Sequence, residues 1–495
     1  MQRAQHADFH HLDGFERVQR VWSLAWPTVV TMSSYTVMQF VDSLMVSQLG
    51  ELELAAQGNG GVWAWTAMAF LYGVITLVNT FVSQCVGRGE SKRAAGYAWC
   101  GVWFAVISWG LLLLPMAIWG LPMAFEAMGH ERALIELEIA YGRVLLFSAA
   151  VNLAGKAITN FFFGIGRPKV ITVSAIAGNI VNVICNYVLI YGDSGLPALG
   201  WPGVPGVAPM GVQGAAIATV IGTCVECAIP AFVFLGPQMA REYGTRSAWR
   251  IDVGGIRDLL RVGWPASFQQ GNEMLCWAIF MTALIGRFGT EHLAAGWIVL
   301  RYMHLSFMPA VGFSVATTTL VGQFIGAREP DLAAKAAHTS LWMGIVYMSI
   351  WGALMLLLRE PMMRVFLGGA GSEGDADRIV AIGSSVMILA AVFQAFDGLG
   401  IVYFGALRGA GDTLWPGLLT AVLSWTLIVG GGWGFAVAFP EWGSWGPWAG
   451  ATLYILALGA ALAWRFERGA WRTLQLHMSA RGVEEDAASR GQNPL

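Results

Sequence analysis

Residues 78–90, VNTFVSQCVGRGE, and residues 317–329, TTTLVGQFIGARE, are two versions of one pattern, separated by close to half of the 495-residue chain. Gln84 of the first segment aligns with Gln323 of the second. Three further pairs recur in the same order at nearly the same spacing: Pro27 with Pro265, Gly50 with Gly289, and Gly164 with Gly405. Four landmarks in one order predict an internal duplication, which sets the architecture before any element is assigned.

The composition indicates what each repeated half consists of. Hydrophobic residues make up 56% of the chain and charged residues only 12%, with a mean hydropathy of +0.58. These values are typical of a polytopic membrane protein, in which about twenty apolar residues cross the bilayer as a helix. We predict twelve transmembrane spans, at 22–48, 60–84, 97–124, 135–163, 170–191, 211–236, 256–287, 293–322, 337–358, 379–407, 414–438 and 445–466.

The predicted fold is therefore an all-α polytopic membrane protein with twelve transmembrane helices in two pseudo-symmetric six-helix lobes. An even number of spans per half returns the chain to its starting side, so a pseudo-two-fold axis along the membrane normal is expected. The polar segment between the halves is the expected domain boundary. The resulting division is a tail (1–20), an N-lobe (21–236), a linker (237–255), a C-lobe (256–466) and a second tail (467–495).

Charge distribution predicts orientation and location. Most of the 29 Lys and Arg residues fall in connectors on the side of the two termini, so both termini are predicted to be cytoplasmic. No cleavable signal is recognised before the first span, and we expect the plasma (inner) membrane of a prokaryote. A net charge of −2 without a dense basic segment argues against nucleic-acid binding. Pro27 and Pro265 are expected to mark the starts of their helices.

Asp42, Glu273 and Asp397 interrupt long apolar stretches. A carboxylate facing lipid would be heavily penalised, so each is expected to face a protein-lined cavity. This arrangement favours a transporter. An enzyme is disfavoured, because the sequence shows no recognisable paired His and Glu metal motif and no nucleophile with a base partner. No cofactor is expected.

The chain resembles the multidrug and toxic compound extrusion (MATE) family, and its NorM-type branch in particular, over residues 20–466. The resemblance is carried by FVDSLMVSQLG (40–50), by the turns at Gln84 and Gln323, by NVICNYVLIYG (182–192) and GVQGAAIAT (211–219), by the acid of span seven, and by FQAFDGLGIVYFGALRGAGD (393–412). It implies a secondary active antiporter that exports organic compounds, cationic and amphipathic ones foremost, by alternating access, driven by Na+ or H+ influx.

The resemblance also implies ion-coupling residues. In the N-lobe they match Asp42, Asn182, Asn186 and Thr219, an oxygen-rich set able to hold Na+ or to lodge a proton on Asp42. Interhelical hydrogen bonding remains the alternative role for the two asparagines. In the C-lobe they match Glu273 and Asp397. The NorM-type branch has a tyrosine one turn before the second acid, whereas this chain has Phe393, which makes proton carriage the simpler role for that pair.

Substrate contacts are predicted near these acids, where aromatic rings suit an organic cation. The candidates are Tyr35, Gln39, Lys156, Trp277, Phe393, Gln394 and Phe396. Three roles are considered for Lys156: it neutralises an acid, it contacts substrate, or it is structural. We expect a monomer in the lipid bilayer whose partners are small organic compounds and Na+ or H+. The alternative function is flipping a lipid-linked saccharide, although a pyrophosphate would call for cationic groups where this chain offers mainly acids.

Overall fold

The computed structural model describes residues 14–128, 130–195, 201–367 and 373–480, and within these ranges the chain is helical with no β-strand. Twelve long helices follow one another. They are α1 (Gly14–Ser47), α2 (Glu51–Arg88), α3 (Ser91–Met128), α4 (Arg132–Gly164), α5 (Lys169–Ser194), α6 (Gly211–Phe234), α7 (Val253–Phe288), α8 (Thr290–Gly326), α9 (Pro330–Leu357), α10 (Glu373–Ala410), α11 (Leu414–Ala438) and α12 (Trp445–Glu467). Short helices at Pro237–Tyr243 and Arg359–Leu367 connect some of them.

The twelve helices correspond one to one with the predicted spans. Nine of them, within the described ranges, are long and apolar enough to cross a membrane by length and composition. The other three long helices, α1, α4 and α7, carry Asp42, Lys156 and Glu273, polar groups that lower the hydropathy of a helix. The predicted fold class is confirmed, and the chain is a multi-pass membrane protein.

The duplication is visible in the backbone where α2 and α8 end. After α2, Gly89 donates its N–H to Val86 and Glu90 donates to Cys85; after α8, Arg328 donates to Ile325 and Glu329 to Phe324. Both Gly89 (φ 80°) and Arg328 (φ 63°) are left-handed, as this way of ending a helix requires. Only the first copy has the glycine that adopts this conformation without strain.

The expectation that Pro27 and Pro265 begin their helices is wrong. Pro27 lies inside α1 and Pro265 lies inside α7. The expectation rested on the preference of proline for the first turn of a helix. Within a bundle of membrane helices an internal proline is tolerated, because neighbouring groups and local adjustments satisfy the backbone groups that it frees.

The chain divides into two compact units, with boundaries within α1, within α7 and after Leu476. The C-unit comprises residues up to Val29 together with Phe268–Leu476, and the N-unit comprises Val30–Ser267 together with residues from His477. The first part of α1 therefore belongs with the second half of the chain, and the first part of α7 with the first half.

A close glycine contact lies beside each of the boundaries in α1 and α7. Gly73 of α2 faces the backbone of Ser267 so closely that an added Cβ would overlap Ser267 N and Cα, and both residues belong to the N-unit. In the C-unit, a Cβ added at Gly312 of α8 would likewise overlap Val29 N and Cα. Small residues let helix backbones approach closely, which favours packing where the hydrophobic effect is weak. The two contacts occupy equivalent places in the duplicated halves.

Replacing Gly73 by Ala should destabilise the protein by roughly 1–3 kcal/mol, because the new methyl group forces the backbones of α2 and α7 apart. The control is Gly58→Ala in the same helix, where a Cβ meets no atom within 4 Å. That change should preserve or raise stability, since alanine is the better helix former. Thermal denaturation of the purified variants tests both, and equal melting temperatures would refute the close-packing argument.

Candidate functional site

Asp42 lies on α1 in the N-unit and is 7% exposed. The Asn186 Nδ2 group donates a hydrogen bond to Asp42 Oδ1 at 2.5 Å and a second to Asn182 Oδ1 at 3.2 Å. Asn182 and Asn186 are one turn apart on α5 and both are fully buried. Three of the four residues predicted for the N-lobe ion site are therefore joined by direct hydrogen bonds.

The fourth residue, Thr219, reaches this group through a residue that the sequence did not point to. Its hydroxyl donates to the carbonyl of Ala215 at 3.0 Å, and its side chain lies near that of Tyr141 on α4. Tyr141 is buried and lies near Asp42 and near Gln57 of α2. A single tyrosine in an apolar span carries no signal of such a role.

The buried asparagines retain unused hydrogen-bonding capacity. Within the described part of the chain, Asn186 Oδ1 and Asn182 Nδ2 are buried without a hydrogen-bond partner. An unpaired buried acceptor is costly, and a carboxylate beside amide and hydroxyl oxygens is the donor set that suits a hard cation. Rotation of the Asn186 amide would turn Oδ1 toward the carboxylate, an arrangement that only a cation or a proton between them would stabilise.

The second pair of acids lies in the C-unit. Tyr454 of α12 donates its hydroxyl to Glu273 Oε1 at 3.1 Å, and Gln269 donates to Glu273 Oε2 at 3.4 Å, one turn away on α7. Asp397 of α10 lies near enough to Glu273 for the two carboxylates to repel each other, and Tyr454 interacts with the charges of both. Two neighbouring buried carboxyl groups favour protonation of one of them.

Phe393, the residue that stands where the NorM-type branch has tyrosine, is fully buried in a cluster of apolar side chains. Tyr454 belongs to the same cluster and is 1% exposed. The C-unit therefore does place a tyrosine hydroxyl on its acid pair, but from α12 instead of α10. Nothing in the sequence singles out Tyr454 among the aromatic residues of the spans.

Lys156 is engaged by an acid that sequence reasoning missed. Glu226 of α6 accepts a hydrogen bond from Lys156 Nζ at 2.8 Å, and Lys156 also donates to the Tyr35 hydroxyl at 2.9 Å. Tyr35 in turn donates to Glu226. The signal that identified Asp42, an acid within an apolar span, was equally present at Glu226 in GTCVECAIP (222–230).

The remaining predicted substrate contacts fall into two groups. Gln394 is buried and exchanges hydrogen bonds with Ser306 at 3.2–3.3 Å, and Trp277 packs edge-to-face on Phe280 at 5.4 Å between ring centroids. Gln39 and Phe396 are exposed. The structure thus brings together Tyr35 and Lys156 of the predicted set, while Gln394 and Phe393 are built into the interior of the C-unit.

In the described part of the chain, twelve long helices with ionisable groups buried among them define a helical membrane protein whose two units each carry a polar site. The chain belongs to the MatE family, whose family model matches residues 27–188 and 265–430. The resemblance to MATE proteins drawn from the sequence is confirmed. A "Multidrug resistance protein NorM" from Burkholderia vietnamiensis is 29% identical over 449 residues, covering 90% of this chain and 92% of that protein.

Two further comparisons agree. A "Probable multidrug resistance protein NorM" from Pseudomonas syringae pv. tomato is 26% identical over 470 residues, covering 93% of this chain and 96% of that protein. Among solved structures, the outward-facing conformation of a multidrug resistance MATE family transporter of the MOP superfamily matches with a TM-score of 0.80 and 22% identity. That match covers 93% of this chain and 97% of the other, and it supports the fold.

Replacing Tyr454 by Phe should slow transport about fivefold, because Glu273 loses a hydrogen bond whose net contribution is roughly 1 kcal/mol. The matched control is Tyr302→Phe in the same unit, whose hydroxyl donates to the Met362 carbonyl at 2.8 Å. Initial transport rates in proteoliposomes, with melting temperatures recorded alongside, make the comparison. Equal transport rates for the two variants would show that Tyr454 is not part of the site.

Proposed function

We propose that this protein is a secondary active antiporter that exports organic, cationic and amphipathic compounds by alternating access, driven by inward movement of Na+ or H+. The observation that carries the proposal is the Asp42 cluster, a buried carboxylate whose hydrogen-bond partner, Asn186, is neutral. An intramembrane carboxylate without a cationic partner favours uptake of a cation or a proton. The curated relatives compared above are named multidrug resistance proteins, which supports a role in efflux.

The coupling ion acts through differential affinity. Ion binding at Asp42 favours the conformation in which the ion has the better set of ligands, and substrate binding favours the other conformation. Ion and substrate each shift the equilibrium between the two conformations only by the difference in their affinity for them. Asn182, Asn186 and Thr219 supply amide and hydroxyl oxygens for Na+. A proton would need Asp42 alone, with the Asn186 amide free to turn its oxygen toward the protonated carboxyl.

The acid pair of the C-unit suits proton carriage. Glu273 and Asp397 repel each other when both are ionised, and one shared proton relieves the repulsion. Phe393 offers no oxygen for direct ligation of a metal cation, and the Tyr454 hydroxyl already donates to Glu273. We therefore assign Na+ or H+ coupling to the N-unit and proton coupling to the C-unit.

A lipid-linked saccharide flippase is the weaker reading of the same fold. A pyrophosphate group requires cationic partners, and Lys156 is ion-paired with Glu226, so it presents no uncompensated positive charge. As an antiporter, the protein would function as a monomer in the plasma (inner) membrane with both termini in the cytoplasm, the orientation that the charge distribution of the connectors favours.

Efflux of a fluorescent organic cation from proteoliposomes tests the proposal, with inwardly directed Na+ and H+ gradients imposed separately. The wild-type protein should respond to at least one gradient. Asp42→Asn should abolish that response, because the neutral amide cannot compensate a cation or carry the proton. The control is Asp193→Asn, an exposed acid at the end of α5, which should leave transport unchanged.

The gradients also separate the coupling ions. Stimulation by Na+ alone would assign a cation site to Asp42, Asn182, Asn186 and Thr219, and stimulation by H+ alone would make the carboxylates proton carriers. Glu273→Gln and Asp397→Asn should each abolish the H+ response if the C-unit pair carries protons. Failure of both gradients to drive efflux, or normal efflux by all three acid variants, would overturn the antiporter proposal.

A further inference from the structure

Tyr35, Lys156 and Glu226 form a closed triad contributed by three helices of the N-unit, α1, α4 and α6. The Lys156 ammonium lies 2.8 Å from Glu226 Oε1, 2.9 Å from the Tyr35 hydroxyl and 4.4 Å from the centroid of the Tyr35 ring. A carboxylate, a hydroxyl and an adjacent aromatic ring therefore surround one alkylammonium group. These three features are the ones by which proteins recognise organic ammonium ions.

The triad is distinct from the Asp42 cluster but parallel to it. Tyr35 precedes Asp42 by two helical turns on α1, and Glu226 follows Thr219 by two turns on α6, which is a rise of about 10 Å in each case. The two polar layers thus share α1 and α6, one layer above the other. The Lys156 and Glu226 side chains retain 15% and 12% exposure, so the pair is not sealed within the core.

We propose that Glu226 and Tyr35 form a second binding site, one for the ammonium group of a transported compound, and that Lys156 occupies this site as a built-in competitor. The inference rests on the proposed export of organic cations. The side chain of lysine is itself an alkylammonium chain, so the groups that hold its Nζ fit the ammonium group of a ligand equally well. Lys156 then sets how strongly a cation must bind to displace it.

A competitor role and a purely structural role predict opposite effects of removing Lys156 on ligand binding. If the pair only stabilises the N-unit, removing either charge harms the protein in the same way, because the remaining partner is left buried and unpaired. If Lys156 is a competitor, removing it leaves Glu226 in need of a cation and strengthens binding of an organic ammonium. Removing Glu226 weakens binding of the same ligand.

The test measures binding of phenethylammonium, a compound with a single positive charge, to the full-length protein in lipid nanodiscs by isothermal titration calorimetry at pH 8. Lys156→Met should bind about tenfold more tightly than wild type, since the ligand compensates the buried carboxylate. Glu226→Gln should bind more weakly than wild type, and the Lys156→Met/Glu226→Gln protein should behave as Glu226→Gln does. Lys156→Arg, which keeps the charge, should match wild type.

Lys156→Gln provides a second neutral variant if Lys156→Met does not fold, because its amide can still hydrogen-bond to Glu226 and Tyr35. Unchanged or weaker binding by a folded neutral variant, judged by its size-exclusion profile and melting temperature, would overturn the inference. The same proteins are assayed for ion-driven efflux. Wild-type efflux without tighter binding by the neutral variants rejects the second site alone, whereas absence of wild-type efflux under both gradients rejects the antiporter proposal.

Discussion

The cost of holding a charge in a low-dielectric membrane interior governs the polar groups of this structure. The partners of the intramembrane ionisable groups differ in kind. Glu226 is neutralised by Lys156, whereas the Asp42 carboxylate is met by the neutral amide of Asn186. One acid of the N-unit is therefore compensated within the protein, and the other gains most from an external cation or proton.

The duplicated halves retain the backbone geometry but not the polar chemistry. Gly73 and Gly312 make equivalent close helix contacts, and Gly89 and Arg328 end equivalent helices in the same left-handed conformation. By contrast, Lys156 of the first half aligns in sequence with Asp397 of the second. Close packing tolerates little variation at a helix contact, whereas a polar residue changes freely once a neighbour changes with it. The two units accordingly hold different charges in similar frameworks.

Sequence was sufficient for the helices because the bilayer fixes their length and hydropathy, and for the family because its motifs are local. It failed at Pro27 and Pro265, whose effect depends on whether neighbouring helices satisfy the freed backbone groups. It also missed Tyr141, Tyr454 and Glu226. The tyrosines look like ordinary aromatic residues of apolar spans. Glu226 carried the same sequence signal as Asp42, and only its pairing with a lysine seventy positions earlier required the tertiary structure.

The differing charges suggest how the two units would divide the work of the proposed antiporter. In the C-unit, Glu273 and Asp397 repel each other, so taking up one proton stabilises the pair irrespective of substrate. In the N-unit, the Lys156–Glu226 pair has no net charge and gains nothing from a proton unless the pair first separates. A substrate ammonium that separates Lys156 from Glu226 would leave the lysine charge in need of an anion. Asp42, the carboxylate whose partner is a neutral amide, lies two turns beyond Tyr35 on α1. Release of a coupling cation from Asp42 would then favour retention of substrate, which is the reciprocity that antiport requires.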